Sequence, residues 1–145
     1  NRTYRYMNDE SLYSFGYGLT YSNVELSNLK VEKIDEEYNF NVKVHIKNIG
    51  SYDIEEVVQC YIKDLESKYA VKNHSLAQFK RVSLKIGETK TIKMSLNKKS
   101  FEVVDYEGNR VIDSKKFKLF VGISQPDTRS IELLKKAPME CEISL

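Results

Sequence analysis

The sequence predicts an all-β fold, with short antiparallel strands stacked as a sandwich or closed into a barrel and an extended N-terminal leader in front of them. Apolar and polar residues alternate strictly in Phe40-Asn41-Val42-Lys43-Val44-His45-Ile46-Lys47, in Thr91-Ile92-Lys93-Met94-Ser95-Leu96 and in Phe117-Lys118-Leu119-Phe120-Val121-Gly122-Ile123. Successive strand side chains point to opposite faces, so each run is a strand with one face in a core. Between such runs stand turn-forming clusters: Asn48-Ile49-Gly50-Ser51, Ile86-Gly87-Glu88 and Glu107-Gly108-Asn109. Glycine supplies the positive φ that tight turns require. No amphipathic helical run is read between the strands, which argues for antiparallel packing.

Taken in order, residues 1–21 come first, and they differ from all that follows. Tyr4, Tyr6, Tyr13, Phe15, Tyr17 and Tyr21 crowd into this stretch without a sustained period. It does not fold by itself, yet rings of that area leave water readily, so it is expected to lie against something. Strands are then predicted over residues 24–31, 40–48, 56–63, 76–84, 90–96, 110–112, 116–124 and 140–144. Their apolar sides, including Val58, Cys60 and Ile62, are expected to share one core with the three alternating runs. Val57 and Tyr61 fall on the opposite side of their strand, which makes it apolar on both faces and in need of cover twice.

A chain of 145 residues that is 41% apolar supports one core. Because it begins on Asn1 rather than Met, it reads as a piece of a longer protein. The 23 basic and 21 acidic residues are interspersed and leave a net charge of +2, which is a solvated surface and not a nucleic-acid footprint. No apolar run reaches the ~18 residues that mark a spanning helix, so no membrane partner is expected. Cys60 and Cys141 lack metal-type spacing and read as free, buried thiols, which favours a reducing, cytoplasmic compartment.

Candidate chemistry is sparse. Asp53, Glu55 and Glu56, and likewise Asp105 and Glu107, sit beside turns and read as solvated carboxylates rather than a tuned acid/base pair. Asp35-Glu36-Glu37 lacks the spaced oxygen ligands of a calcium loop and reads as a hairpin tip. His45 and His74 have no ligand-type neighbours in sequence and read as surface histidines. Phe15-Gly16-Tyr17-Gly18 lacks the flanking strand and helix of a phosphate loop, so its glycines are expected to ease a tight path between rings. No nucleophile elbow is present. No catalytic residue, metal or cofactor is assigned. Asn1-Arg2-Thr3 and Asn73-His74-Ser75 fit the glycosylation sequon and are expected to be unmodified.

Several segments together resemble a known family. Thr3-Tyr4-Arg5-Tyr6 followed by residues 12–21, Leu-Tyr-Ser-Phe-Gly-Tyr-Gly-Leu-Thr-Tyr, resembles the PFGYGLSYT entry into the last domain of family 3 glycoside hydrolases. Ser14 stands for the usual Pro and Thr20 for the usual Ser. Residues 44–50 are similar to VxVxNTG, 56–62 to EVVQLYV, 79–88 to GFxRVxLxPGE and 120–124 to the closing VGxSS. The resemblance implies an immunoglobulin/fibronectin type III-like antiparallel β-sandwich over residues 22–145, with residues 1–21 as a linker from an upstream domain. It places the chemistry, retaining hydrolysis of terminal β-linked sugars, in a barrel and an α/β domain outside this chain. The expected partners are those catalytic domains, and the expected contact residues are Tyr4, Arg5, Tyr6, Phe15, Tyr17, Tyr21, Val57 and Tyr61. Of these, Phe15, Tyr17 and Tyr21 are expected to rest on the sandwich, while residues 1–8 reach beyond it. Sugar binding by this domain is not expected, since the chain has no Trp and its tyrosines concentrate in the leader; a carbohydrate-binding module, and after it an independent protein-binding module, are the alternatives to a scaffold.

Overall fold

The structure, a computed structural model, describes residues 3–145. Nine strands form two stacked sheets and a small hairpin: β1 (Val24–Lys33), β2 (Phe40–Asn48), β3 (Ile54–Asp64), β4 (Ser75–Leu84), β5 (Thr89–Leu96), β6 (Val103–Val104), β7 (Arg110–Val111), β8 (Lys116–Gly122) and β9 (Met139–Ser144). One sheet has the order β1-β2-β5, the other β4-β3-β8-β9, and β6 pairs with β7 alone. All pairings are antiparallel. The chain changes sheets between β2 and β3 and again between β4 and β5, so the closed barrel is ruled out in favour of the sandwich.

Alternation puts Phe40, Val42, Val44 and Ile46 of β2 on the inner face, opposite Phe117, Leu119 and Val121 of β8 and Val58, Cys60 and Ile62 of β3. Register reinforces the pattern, because Val44 lies beside Ile92 and Val42 beside Met94, where adjacent apolar side chains pack as cross-strand pairs. Ile123, expected inside, lies just past the end of β8 and is half-buried. Two irregularities bend the sheets: a register shift between Ser27 and Lys30, with Asn28 in the left-handed region at φ 54°, and another opposite Cys60 and Tyr61. Each inserts an unpaired residue, which locally increases strand twist.

Asn48, fully buried at the end of β2, ties the strand ends together. Its Oδ1 accepts from Ser22 Oγ at 2.7 Å and from Gly50 N at 3.0 Å. Its Nδ2 donates to Tyr52 O at 2.7 Å and Leu84 O at 3.3 Å. Gly50 is required here, because a Cβ would come within 1.8 Å of Ser22 Oγ. Both cysteines are free, Cys60 buried and Cys141 half-buried. Burial, and then the neighbouring Cys141, push the Cys60 thiol up to about 12, so it carries almost no reactive thiolate near neutrality.

Strand β6 and one helix were not foreseen. Helix α1 (Thr128–Leu134) follows β8, its first turn capped by Asp127 Oδ1, which accepts from Ser130 N at 2.7 Å. Lys135 closes it in the left-handed region at φ 56°. Seven residues behind a Pro126 turn are too few to show a helical period, so only the Asp127 cap marked it in sequence.

The carboxylates beside the β2–β3 turn divide by face. Asp53 Oδ1 accepts from Ile86 N at 2.8 Å, and Glu55 pairs with Arg81 and accepts from Ser83 Oγ at 3.1 Å. Glu56 shares the strand parity of Ile54 and Val58 and is half-buried, which corrects its reading as solvated. Burial raises its pKa, opposed by its bond from Val57 N and by Lys136.

Two measurements test this account. Leu119→Ala, which empties a fully buried position, is expected to lower the unfolding free energy by about 2 to 5 kcal/mol; a denaturation midpoint at the wild-type value would show that the face is misassigned. Since the folded state holds the Glu56 proton more tightly than the unfolded chain does, its contribution is full below the unfolded pKa near 4.5 and fades as pH rises through the folded value. Glu56→Gln should therefore be more stable than wild type at pH 7 and lose that advantage at pH 4, as read by thermal melts at the two pH values.

Candidate functional site: the leader-covered face

The outer face of the four-stranded sheet carries Val57, Gln59 and Tyr61 of β3, and the leader lies over the last two. Tyr61 is fully buried, with the Tyr4 ring edge-on against it at 6.4 Å and 84°. Tyr4 stacks in turn on Phe15 at 4.1 Å and 6°. The Tyr61 hydroxyl donates to Gln59 Oε1 at 2.7 Å. Burial first, then Tyr4 and Asp127, hold that phenol far above its ordinary pKa, so it remains a donor.

Gln59 then fastens the strap. Its Nε2 donates to Gly16 O at 3.0 Å and to Ile123 O at 3.1 Å. Gly16 has φ +76°, and a Cβ there would fall 2.2 Å from Gln59 Oε1; only glycine takes this conformation so close to the amide. No such constraint applies at Gly18, around which space is open, so the expectation of two glycines easing one tight path holds for Gly16 alone.

Other anchors follow the strap along its length. Asn73 Nδ2 donates to Tyr4 O at 2.7 Å and Met7 O at 3.0 Å, and Asn73 N to Arg5 O at 2.9 Å. Leu76 N donates to the Tyr4 hydroxyl at 3.1 Å, and Arg5 Nε to Ser75 Oγ at 3.1 Å. Lys72 Nζ meets Asn8 Oδ1. Farther on, Ser14 Oγ donates to the α1 capping carboxylate of Asp127 at 2.7 Å, Gln125 N to Phe15 O at 3.0 Å and Arg129 Nε to Leu12 O at 3.2 Å.

These contacts correct three expectations. Residues 4–8 do not reach beyond the sandwich but are bound to the β3–β4 loop and the start of β4; residues 1–2, the first two of the first sequon, lie outside the described residues. Tyr21 does not rest on the sandwich, being 89% exposed, because Ser22 turns inward to Asn48 and rotates its neighbour out. His74 is not a surface histidine: it is half-buried, edge-on to Phe120 at 4.8 Å. Burial, and then Lys63, lower its pKa. Of the remaining expected contact residues, Tyr17 is half-buried and stacked on Tyr13 at 5.5 Å, Tyr6 and Phe15 are exposed in part, and Val57 is half-buried.

Leu12, Tyr13 and Leu19 point away from the sheet, 75%, 61% and 91% exposed. Among the described residues no three His, Cys, Asp or Glu side chains gather as a metal site. Of the residues that position the strap, Gln59 and Asp127 were given no role in the sequence, and Asn73 was read only as the start of a sequon. For Gln59 a signal existed: it is the one amide inside the apolar run Val57-Val58-Gln59-Cys60-Tyr61-Ile62.

A family model for the fibronectin type III-like domain matches residues 56–125, from the leader-bearing strand β3 to Gln125. The chain is 35% identical over 127 residues to a xylan 1,4-beta-xylosidase of Xylanibacter ruminicola, covering 87% of this chain and 14% of that protein. It is 34% identical over 134 residues to the thermostable beta-glucosidase B of Acetivibrio thermocellus, covering 86% and 17%. The crystal structure of a beta-glucosidase from Listeria innocua in complex with glucose superposes with a TM-score of 0.78 at 27% identity over 96% of this chain and 18% of that one. The chain is a fibronectin type III-like domain of the family 3 glycoside hydrolases. It spans less than a fifth of the length of these relatives. In this fibronectin type III-like domain the leader is part of the matched region, since the similarity covers more of the chain than the sandwich alone.

The strap is tested at its tightest point. Gly16→Ala should cost about 1 to 3 kcal/mol, through the disfavoured φ and the contact with Gln59. Amide exchange at Phe15, Gly16 and Tyr17 should quicken more than at Val42 or Leu119; equal protection in variant and wild type would show that the strap does not depend on this seat.

Proposed function

We propose that this domain is a non-catalytic scaffold of a family 3 glycoside hydrolase, packing by its leader-bearing face against the domains that hydrolyse terminal β-linked sugars. One observation carries the reading: the strap packs Tyr4 against β3 and leaves Leu12, Tyr13 and Leu19 of the same segment exposed. Large apolar side chains exposed within one segment point to an interaction surface. The relatives support the class of partner, being glucosidases and xylosidases several times longer than this chain. The carboxylates support the absence of chemistry here. Asp53 and Glu55 are engaged by Ile86 N, Arg81 and Ser83, and Glu56 lies on the opposite face of β3 from Glu55.

Two experiments test the proposal. The 145-residue chain should release no nitrophenol from a panel of nitrophenyl glycosides, and turnover that disappears on mutating Asp53, Glu55 or Glu56 would refute it. In the full-length hydrolase, the paired change Leu12→Asp and Leu19→Asp should lower the melting temperature while leaving the isolated domain's melt unchanged. A full-length melt equal to wild type would sink the docking surface.

A further inference from the structure

The face just described leaves a second feature unused. A cleft of about 540 Å³ opens beside the first turn of the leader, between the β3–β4 loop, the β6–β7 hairpin and the edge where β4 meets β5. Its volume lies in the range of small-molecule sites, about 300 to 1,000 Å³. Tyr6 and Tyr69 stand at its walls, and Asp64, Gln78, Asn97 and Arg110 line it. Asp64 uses only one oxygen for the fold: Oδ1 accepts from Glu66 N at 3.0 Å and Ser67 N at 2.9 Å. Its Oδ2 is buried and has no hydrogen-bond partner among the described residues, and leaving a buried acceptor unpaired is costly.

The chemistry of the lining selects its ligand. A carboxylate only accepts hydrogen bonds, a guanidinium only donates, and the two amides do both. An anionic ligand would meet Asp64 and the carboxylate of Glu102, which lies 3.8 Å from Arg110. A cation would meet Arg110 and Lys99, together with Arg5, which is held at the rim by Ser75. An apolar ligand would leave both kinds of group unsatisfied. A neutral polyhydroxy ligand satisfies all of them, because each hydroxyl donates and accepts, and tyrosine rings accept the apolar face of a sugar ring while their hydroxyls stay wet. We infer that this cleft binds a short neutral saccharide, the Asp64 carboxylate turning so that its buried, unpaired oxygen accepts from ring hydroxyls. The absence of Trp argued against a sugar platform in the sequence. What sequence alone did not show is that the leader brings Tyr6 back to a polar cleft that Tyr69 also lines.

Titration of the labelled 145-residue chain with xylobiose and with cellobiose, followed by amide and side-chain shifts, tests this. Saturable shifts at Tyr6, Asp64, Tyr69 and Asn97, with a dissociation constant on the order of 1 mM for at least one disaccharide, are expected. Asp64→Asn keeps the oxygen that holds the turn and places an amide where the free acceptor stands; it should weaken binding about tenfold with the spectrum otherwise unchanged. Gln78→Ala, which leaves the turn untouched, should weaken binding as well. Shifts that fail to saturate, that glycerol reproduces, that fall elsewhere on the domain or that survive in both variants overturn the inference. None of these outcomes bears on the docking surface, which Leu12 and Leu19 report independently.

Discussion

Strand β3 needs cover on two faces, and the rest of the structure follows from how it gets it. Val58, Cys60 and Ile62 are covered by the second sheet; Tyr61, on the other side, is covered by residues that precede the first strand. A sandwich without the strap would expose a tyrosine ring and the Gln59 amide in the middle of a sheet. The strap is held in that place by polar anchors at Asn73, Gln59 and Asp127.

The legible parts of the sequence are those governed by nearest-neighbour geometry. Strict alternation in β2, β5 and β8 announced both the strands and their inner faces, because one face of each meets a core and a slip of one residue would turn every side chain outward. The strap was legible in composition but not in detail. Nothing local distinguishes Tyr4, which lies on Tyr61, from Tyr21, which stands in solvent. Their fates are set by where Gln59 holds Gly16 and where Asn48 holds Ser22, which are contacts across 43 and 26 residues. Helix α1 escaped for a different reason. Its seven residues contain too few turns for a period, and its stability comes from the Asp127 cap shared with Ser14.

Three buried or half-buried amides thus carry more of the organisation than any apolar residue outside the core. Asn48 makes four hydrogen bonds and Gln59 three, and Asn73 fixes two leader carbonyls. Apolar contacts tolerate sliding, whereas a buried amide tolerates only the register in which its partners arrive. The core therefore determines that the domain folds, and the amides determine where the leader lies. The same use of Asn73 makes its sequon a structural motif here, with both leader carbonyls bound to the nitrogen that a glycan would need.

Satisfied and unsatisfied polar groups are not mixed at random. Where the domain meets itself, at Asn48 and Gln59, the amide nitrogen and oxygen are both engaged. The buried side-chain atoms without a partner among the described residues are Asp64 Oδ2, His74 Nδ1 and Gln125 Oε1. Asp64 lines the cleft on one side of Tyr4; His74 and Gln125 line a groove of about 500 Å³ on the other. A domain selected only to fold would have little reason to concentrate unpaired polar atoms along one seam, since each detracts from stability unless something completes it. The seam where the leader crosses the sheet is therefore where the proposed saccharide and the proposed neighbouring domain would complete the molecule.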